Sequence, residues 1–140
     1  MSPTPNLELL FELEATTGES LVIGDAGTGT KAVVPVTGGT FAGPRLNGRV
    51  RGSANGDWVT MLPNGSIRLD VRLTLETNDG ALILMTYEGV GRRTEQGYDL
   101  RTAPRFETGD ERYRWLNEVQ AVAVGTASGN SVRYSVFALS

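Results

Sequence analysis

Between Asn64-Gly65 and Asp79-Gly80 the chain alternates strictly, with Ile67, Leu69, Val71, Leu73 and Leu75 interleaved with Arg68, Asp70, Arg72, Thr74 and Glu76. A period of two puts the apolar side chains on one face and the polar ones on the other, which is the pattern of a half-buried β-strand. The two flanking pairs supply the positive φ that tight hairpin turns require. Beyond the second turn, Ala81 to Tyr87 reads as the antiparallel partner. Further strands are expected over Leu7 to Thr16, Lys31 to Val36, Arg45 to Arg51, Trp58 to Leu62, Tyr98 to Thr102, Val119 to Thr126 and Ser131 to Leu139. Short strands at this spacing, with turn pairs such as Asn47-Gly48 and Asn55-Gly56 between them, point to a barrel or a sandwich. The one helical stretch expected is Asp110 to Leu116, with Asp110 at its start, acting as a plug or flap. Gly24 to Gly29 and Gly89 to Gly97 are expected to be mobile loops.

At 140 residues the chain is expected to form a single domain, spanning residues 1–140. Its apolar runs, such as Ala81 to Met85, fall far short of the roughly 20 residues that cross a bilayer as a helix. Met1 to Asn6 has neither a basic start nor an apolar stretch, so the expected location is cytoplasmic and no membrane partner is expected. The 13 basic and 16 acidic residues leave a net charge of −3, which disfavours binding to a nucleic acid backbone.

Cysteine and histidine are both absent. Thiolate nucleophiles, disulfides and zinc–thiolate sites are therefore excluded, and proton transfer near neutral pH falls to Asp, Glu, Tyr, Lys31 or water. Gly24 to Lys31 imitates a phosphate-binding loop, but Lys31 comes one position late, Ala32 stands where a magnesium-binding hydroxyl belongs, and a strand follows. Asn64-Gly65-Ser66 reads as a turn. No carboxylate spacing resembles a calcium loop, and no metal or cofactor is expected.

The charged face of the Ile67–Glu76 strand admits two readings. Either the apolar side fills the barrel and the charges are solvated outside, or the interior is a partly polar cavity holding Asp70 and Arg72. Trp58, Tyr87, Tyr98, Phe106, Tyr113 and Trp115 are aromatic residues available to wall such a cavity.

Several segments, in order, resemble those of domain of unknown function family 3237. They are Pro35 to Gly48, Gly56-Asp57-Trp58, Leu69-Asp70-Val71-Arg72, Asp79 to Ile83, Arg101 to Thr108 and Tyr113 to Asn117. The resemblance implies an all-β fold, a single antiparallel β-barrel of calycin-like or allene-oxide-cyclase-like type with one short helix, often paired as a homodimer in bacterial and fungal proteins. It maps motif residues onto Asp57, Trp58, Asp70, Arg72, Arg101, Pro104, Phe106, Glu107, Tyr113, Trp115 and Asn117, and so favours the polar-cavity reading. Leu100 departs from the family's pattern, where an aromatic residue is expected. The resemblance also suggests isomerase or cyclase activity within secondary metabolism.

The function expected on these grounds is a cofactor-independent isomerase, cyclase or lyase acting on a small, apolar carbonyl compound. Asp70 or Glu107 would serve as base, Arg72 or Arg101 as oxyanion donor and Tyr87 as proton donor. Trp58, Phe106, Tyr113, Trp115 and Asn117 would contact the small-molecule ligand. The alternative is a barrel that binds a small ligand without catalysis, or a structural dimer.

Overall fold

The computed structural model describes residues 3–140. Met1 and Ser2, part of the N-terminal stretch read above, lie outside the described residues. The strands are β1 (Leu7–Thr17), β2 (Leu21–Asp25), β3 (Thr30–Ala42), β4 (Asn47–Val50), β5 (Gly56–Met61), β6 (Ile67–Thr77), β7 (Leu82–Arg93), β8 (Tyr98–Thr102), β9 (Arg105–Glu107), β10 (Ala121–Ser128) and β11 (Ser131–Leu139). A 3-10 helix spans Arg114–Glu118.

Every pairing is antiparallel. Following the ladders from β1 through β3, β5, β6, β7, β8, β10 and β11 leads back to β1, so eight strands close an antiparallel barrel. The three short strands are additions to this ring: β4 bridges β3 and β6, β2 extends along β3, and β9 pairs with β7. The β6–β7 turn is closed by the Thr77 and Ala81 main chains, with Gly80 at φ 92° as the Asp-Gly pair requires.

Strand β6 settles which of its faces lies inside. Ile67, Leu69, Val71, Leu73 and Leu75 are buried, while Arg68, Asp70 and Arg72 are exposed. The polar-cavity expectation for Asp70 and Arg72 is thereby corrected. Burying a Leu, Ile or Val side chain is worth about 1.5–3 kcal/mol each, and turning the strand over would forfeit that while desolvating its charges.

The interior is filled at one end and hollow at the other. At the filled end Phe11 packs on Phe41 and Phe106 with ring centroids 5.2 and 6.0 Å apart, and Leu116 of the 3-10 helix is fully buried beneath them. The helix is the expected plug, displaced toward the C-terminus and wound more tightly. Its hydrogen bonds run from i+3 to i, Leu116 to Tyr113 and Val119 to Leu116. Asp110 accepts from the Arg112 N–H at 2.9 Å instead of capping the helix, and so fixes the turn before it.

Among the described residues, no helix is long and apolar enough to cross a membrane. Gly89 to Gly97, expected as a loop, is strand to Arg93, leaving a tight turn in which Thr94 N–H donates to Gly97 O at 2.8 Å.

Candidate functional site

The hollow end of the barrel is a cavity of about 480 Å³, within the size range of small-molecule sites. Its walls are aliphatic, with Leu13 from β1, Val34 from β3, Val59 and Met61 from β5, and Ile67 and Leu69 from β6. Thr17, Ser20, Ser128 and Asn130 ring its mouth, at the end opposite the helical plug. No Lys or Arg lines it. The polar groups set into the apolar wall are Asp57, Tyr87, Tyr98 and Tyr134.

Asp57 shares its strand face with Val59 and Met61, so the alternation that lines the cavity with aliphatic groups also places one carboxyl among them. Its Oδ1 accepts the main-chain N–H of Asp70 at 3.0 Å. Burial pushes the Asp57 carboxyl up to about 6, opposed by that N–H and reinforced by the negative charge of Asp70.

Tyr87 on β7 and Tyr134 on β11 meet edge to face, with centroids 5.3 Å apart and an interplanar angle of 69°. Burial raises both phenols well above their ordinary range, and the Asp57 charge raises each further, so the three groups lie within one electrostatic neighbourhood. Tyr134 Oη is buried without a hydrogen-bond partner. An unmatched buried hydroxyl costs about 1–3 kcal/mol, so Tyr134 carries unused hydrogen-bonding capacity within the cavity wall.

Near neutral pH this arrangement offers a carboxyl that both gives and takes a proton, beside two phenols that stay protonated. Among the described residues, no group of three carboxylates is placed to hold a metal ion.

The residues expected from sequence are dispersed. Tyr87 and Tyr98 line the cavity. Asp70, Arg72 and Arg101 point outward, because each neighbours an inward-facing apolar or Thr side chain on its strand. Glu107 is exposed on β9. Trp58 is 49 % exposed on the outer wall. Phe106 belongs to the solid core, and the remaining three serve the plug. Tyr113 Oη donates to the Asp79 carboxylate at 2.9 Å, Arg45 stacks 3.6 Å over the Trp115 ring, and Asn117 exchanges hydrogen bonds with the Thr108 main chain. These nine residues, Arg101 and Glu107 among them, therefore lie outside the cavity.

The model of a family described as protein of unknown function, DUF3237, matches residues 5–139. The chain belongs to this family. A UPF0311 protein of Rhodopseudomonas palustris is 31% identical over 147 residues, covering 95% of this chain and 94% of the relative. The hydroalkoxylation enzyme phnH of Penicillium herquei is 37% identical over 120 residues, covering 85% of this chain and 74% of that protein. A solved β-barrel-like protein from Acinetobacter baumannii superposes with a TM-score of 0.93 at 28% identity, over 100% of this chain and 99% of the other.

Two site residues escaped the sequence reading. Asp57 stood within a family motif, but its signal was a lone carboxylate in register with Val59 and Met61. Tyr134 was unremarked, although it alternates with Val132 and Val136.

Proposed function

We propose that this member of DUF3237 is a cofactor-independent enzyme that closes a ring by proton transfer, with Asp57 as acid–base group and Tyr87 and Tyr134 as hydrogen-bond donors. The observation that carries the reading is the Asp57 carboxyl, raised to about 6 on the wall of an apolar cavity that two protonated phenols share. A base with a pKa near the working pH combines the right protonation state with useful proton affinity.

Similarity to a hydroalkoxylation enzyme favours addition of a hydroxyl O–H across a carbon–carbon double bond. With an α,β-unsaturated ketone the step balances without any co-reactant. Asp57 takes the hydroxyl proton, the oxygen bonds to the β-carbon, and the electron pair moves onto the carbonyl oxygen. The two phenols stabilise that enolate oxygen, and Asp57 returns the proton to the α-carbon. Substrate and product are isomers. The absence of a lining cation favours neutral substrates over carboxylates or phosphates.

The test uses 2′-hydroxychalcone and related hydroxyl-bearing enones, whose cyclisation is followed by absorbance and by the enantiomeric excess of the product. Turnover with enantiomeric excess is expected, and Asp57→Asn should lower the rate by about 10²–10⁴-fold while a ligand-induced rise in Tm persists. Binding of these probes with no acceleration over Asp57→Asn would overturn catalysis and leave a ligand-binding barrel.

A further inference from the structure

Strands β5 and β6 keep one register along their length, yet their pairing is interrupted beside Asp57. Gly56 pairs with Arg72, Asp57 with Val71, Thr60 with Arg68 and Met61 with Ile67, while Trp58 and Val59 are not bridged to Asp70 and Leu69. At that interruption the N–H of Asp70 turns to the Asp57 carboxylate, so a side chain replaces main chain in the wall. Leu69 lines both the inner cavity and a groove on the outer surface. That groove is formed by Lys31, Trp58, Thr60, Arg68, Asp70 and Glu88.

We propose that Asp57 exchanges its proton with solvent through this parting in the barrel wall, with Asp70 as its positioning residue on the outer side. A ligand that fills the mouth then leaves the acid in contact with water. The proposal rests on Asp57 being the acid–base group only for its usefulness, since the route is a property of the wall.

Three features support the route. Asp57 stands at the interrupted stretch of the β5–β6 ladder, next in the chain to Trp58 of the outer groove. The Asp70 N–H holds it at the opening, and the exposed Asp70 carboxylate stands close enough to oppose its ionisation. On the inner side Asp57 is flanked by the aliphatic Val59, Met61 and Leu69.

The groups that face Asp57 are Asp70 from β6, Tyr87 from β7 and Tyr134 from β11. In the outer groove stand Lys31 from β3, donating to Thr60 Oγ1 at 2.6 Å, with Arg68 from β6 and Glu88 from β7.

The chain's lack of cysteine makes a clean test possible. The carboxyl carbon of Asp57 is followed by NMR in the full chain between about pH 4 and 8, spanning the ordinary and the raised carboxyl range. In one protein Ser128→Cys carries a bulky apolar maleimide that closes the mouth. In another, Asp70→Cys carries either a small cationic or a small anionic thiol reagent in the groove.

With the mouth closed, the Asp57 signal should still move as one averaged line. The cationic adduct at position 70 should lower its midpoint and the anionic adduct should bring it back toward the unmodified protein. Two slowly exchanging Asp57 lines on closing the mouth, or the same midpoint with either adduct, would overturn the proposal. Neither readout involves turnover, so failure here and failure of the ring-closing reaction are told apart.

Discussion

Asp57 weakens the fold once its carboxyl is ionised. Its carboxyl ionises at about 3.8 in the unfolded chain and about 6 in the barrel, so the folded state binds the proton more tightly. Stability from this group is therefore fully present below about pH 3.8 and is lost as pH rises through about 6. Asp57→Asn keeps an oxygen for the Asp70 N–H and removes the charge. Denaturant midpoints should show the variant more stable than the parent by about 1–3 kcal/mol at pH 8, with the difference vanishing near pH 4. A loss of stability at pH 8 would mean that the carboxylate is held by favourable contacts. Tyr134→Phe removes a hydroxyl that no protein group satisfies, and should raise stability by up to about 1 kcal/mol. Its cost should appear in binding of carbonyl ligands, measured by the same Tm shift. The site was legible at this scale only in part. Alternation on β6 assigned Asp70 and Arg72 a common face, but not whether it was inner or outer. Deciding that needed the apolar partner face to be weighed against it, and on β5 the same weighing singles out Asp57.

Most strands could be read from turns and alternation, and those that could not share a physical reason. In β2, Leu21, Val22 and Ile23 are all more than 60% exposed, so no alternation marks a strand that pairs only with β3 beyond the closed ring. Strand β9 has three residues, too few for any period. The latter half of β7, within the expected Gly89 to Gly97 loop, carries glycines at 89 and 91. Their role is close approach: a Cβ at Gly89 would run into the Arg101 carbonyl, and one at Gly91 into Ile67. Gly125 on β10 does the same for the site, since a Cβ there would overlap the Arg133 carbonyl and the Tyr134 ring. Gly125→Ala should destabilise the barrel by about 1–3 kcal/mol through overpacking. It should also turn the Tyr134 ring away from Tyr87, seen as a loss of the ring-to-ring contact by NMR. An unchanged stability and contact would mean that β10 shifts freely, contrary to its being held by two neighbours.

Closure of the ring is a property of the whole chain, because its first and last strands are partners. Leu7 lies opposite Leu139 and Thr16 opposite Ser131, and beyond them Asn6 and Ser140 exchange main-chain hydrogen bonds at 2.8 and 2.9 Å. Strand β11 joins β1 to β10, buries Val136 completely and supplies Tyr134 to the cavity. Ending the chain at Asn130 would remove one strand in length but two ladders in structure. It would expose the edges of β1 and β10, which a closed barrel hides, and open the cavity along its side. Partial compensation is ruled out by geometry, since β1 and β10 are separated by the full width of a strand and closing on each other would force a new stagger around the ring. The chain lacking residues 131–140 should therefore lose its cooperative thermal transition by circular dichroism and bind an apolar fluorescent dye that the full chain excludes. A sharp transition within a few degrees of the full-length Tm would show that seven strands suffice. In that case the cavity, and Asp57 with it, would owe less to closure than the β1–β11 pairing implies.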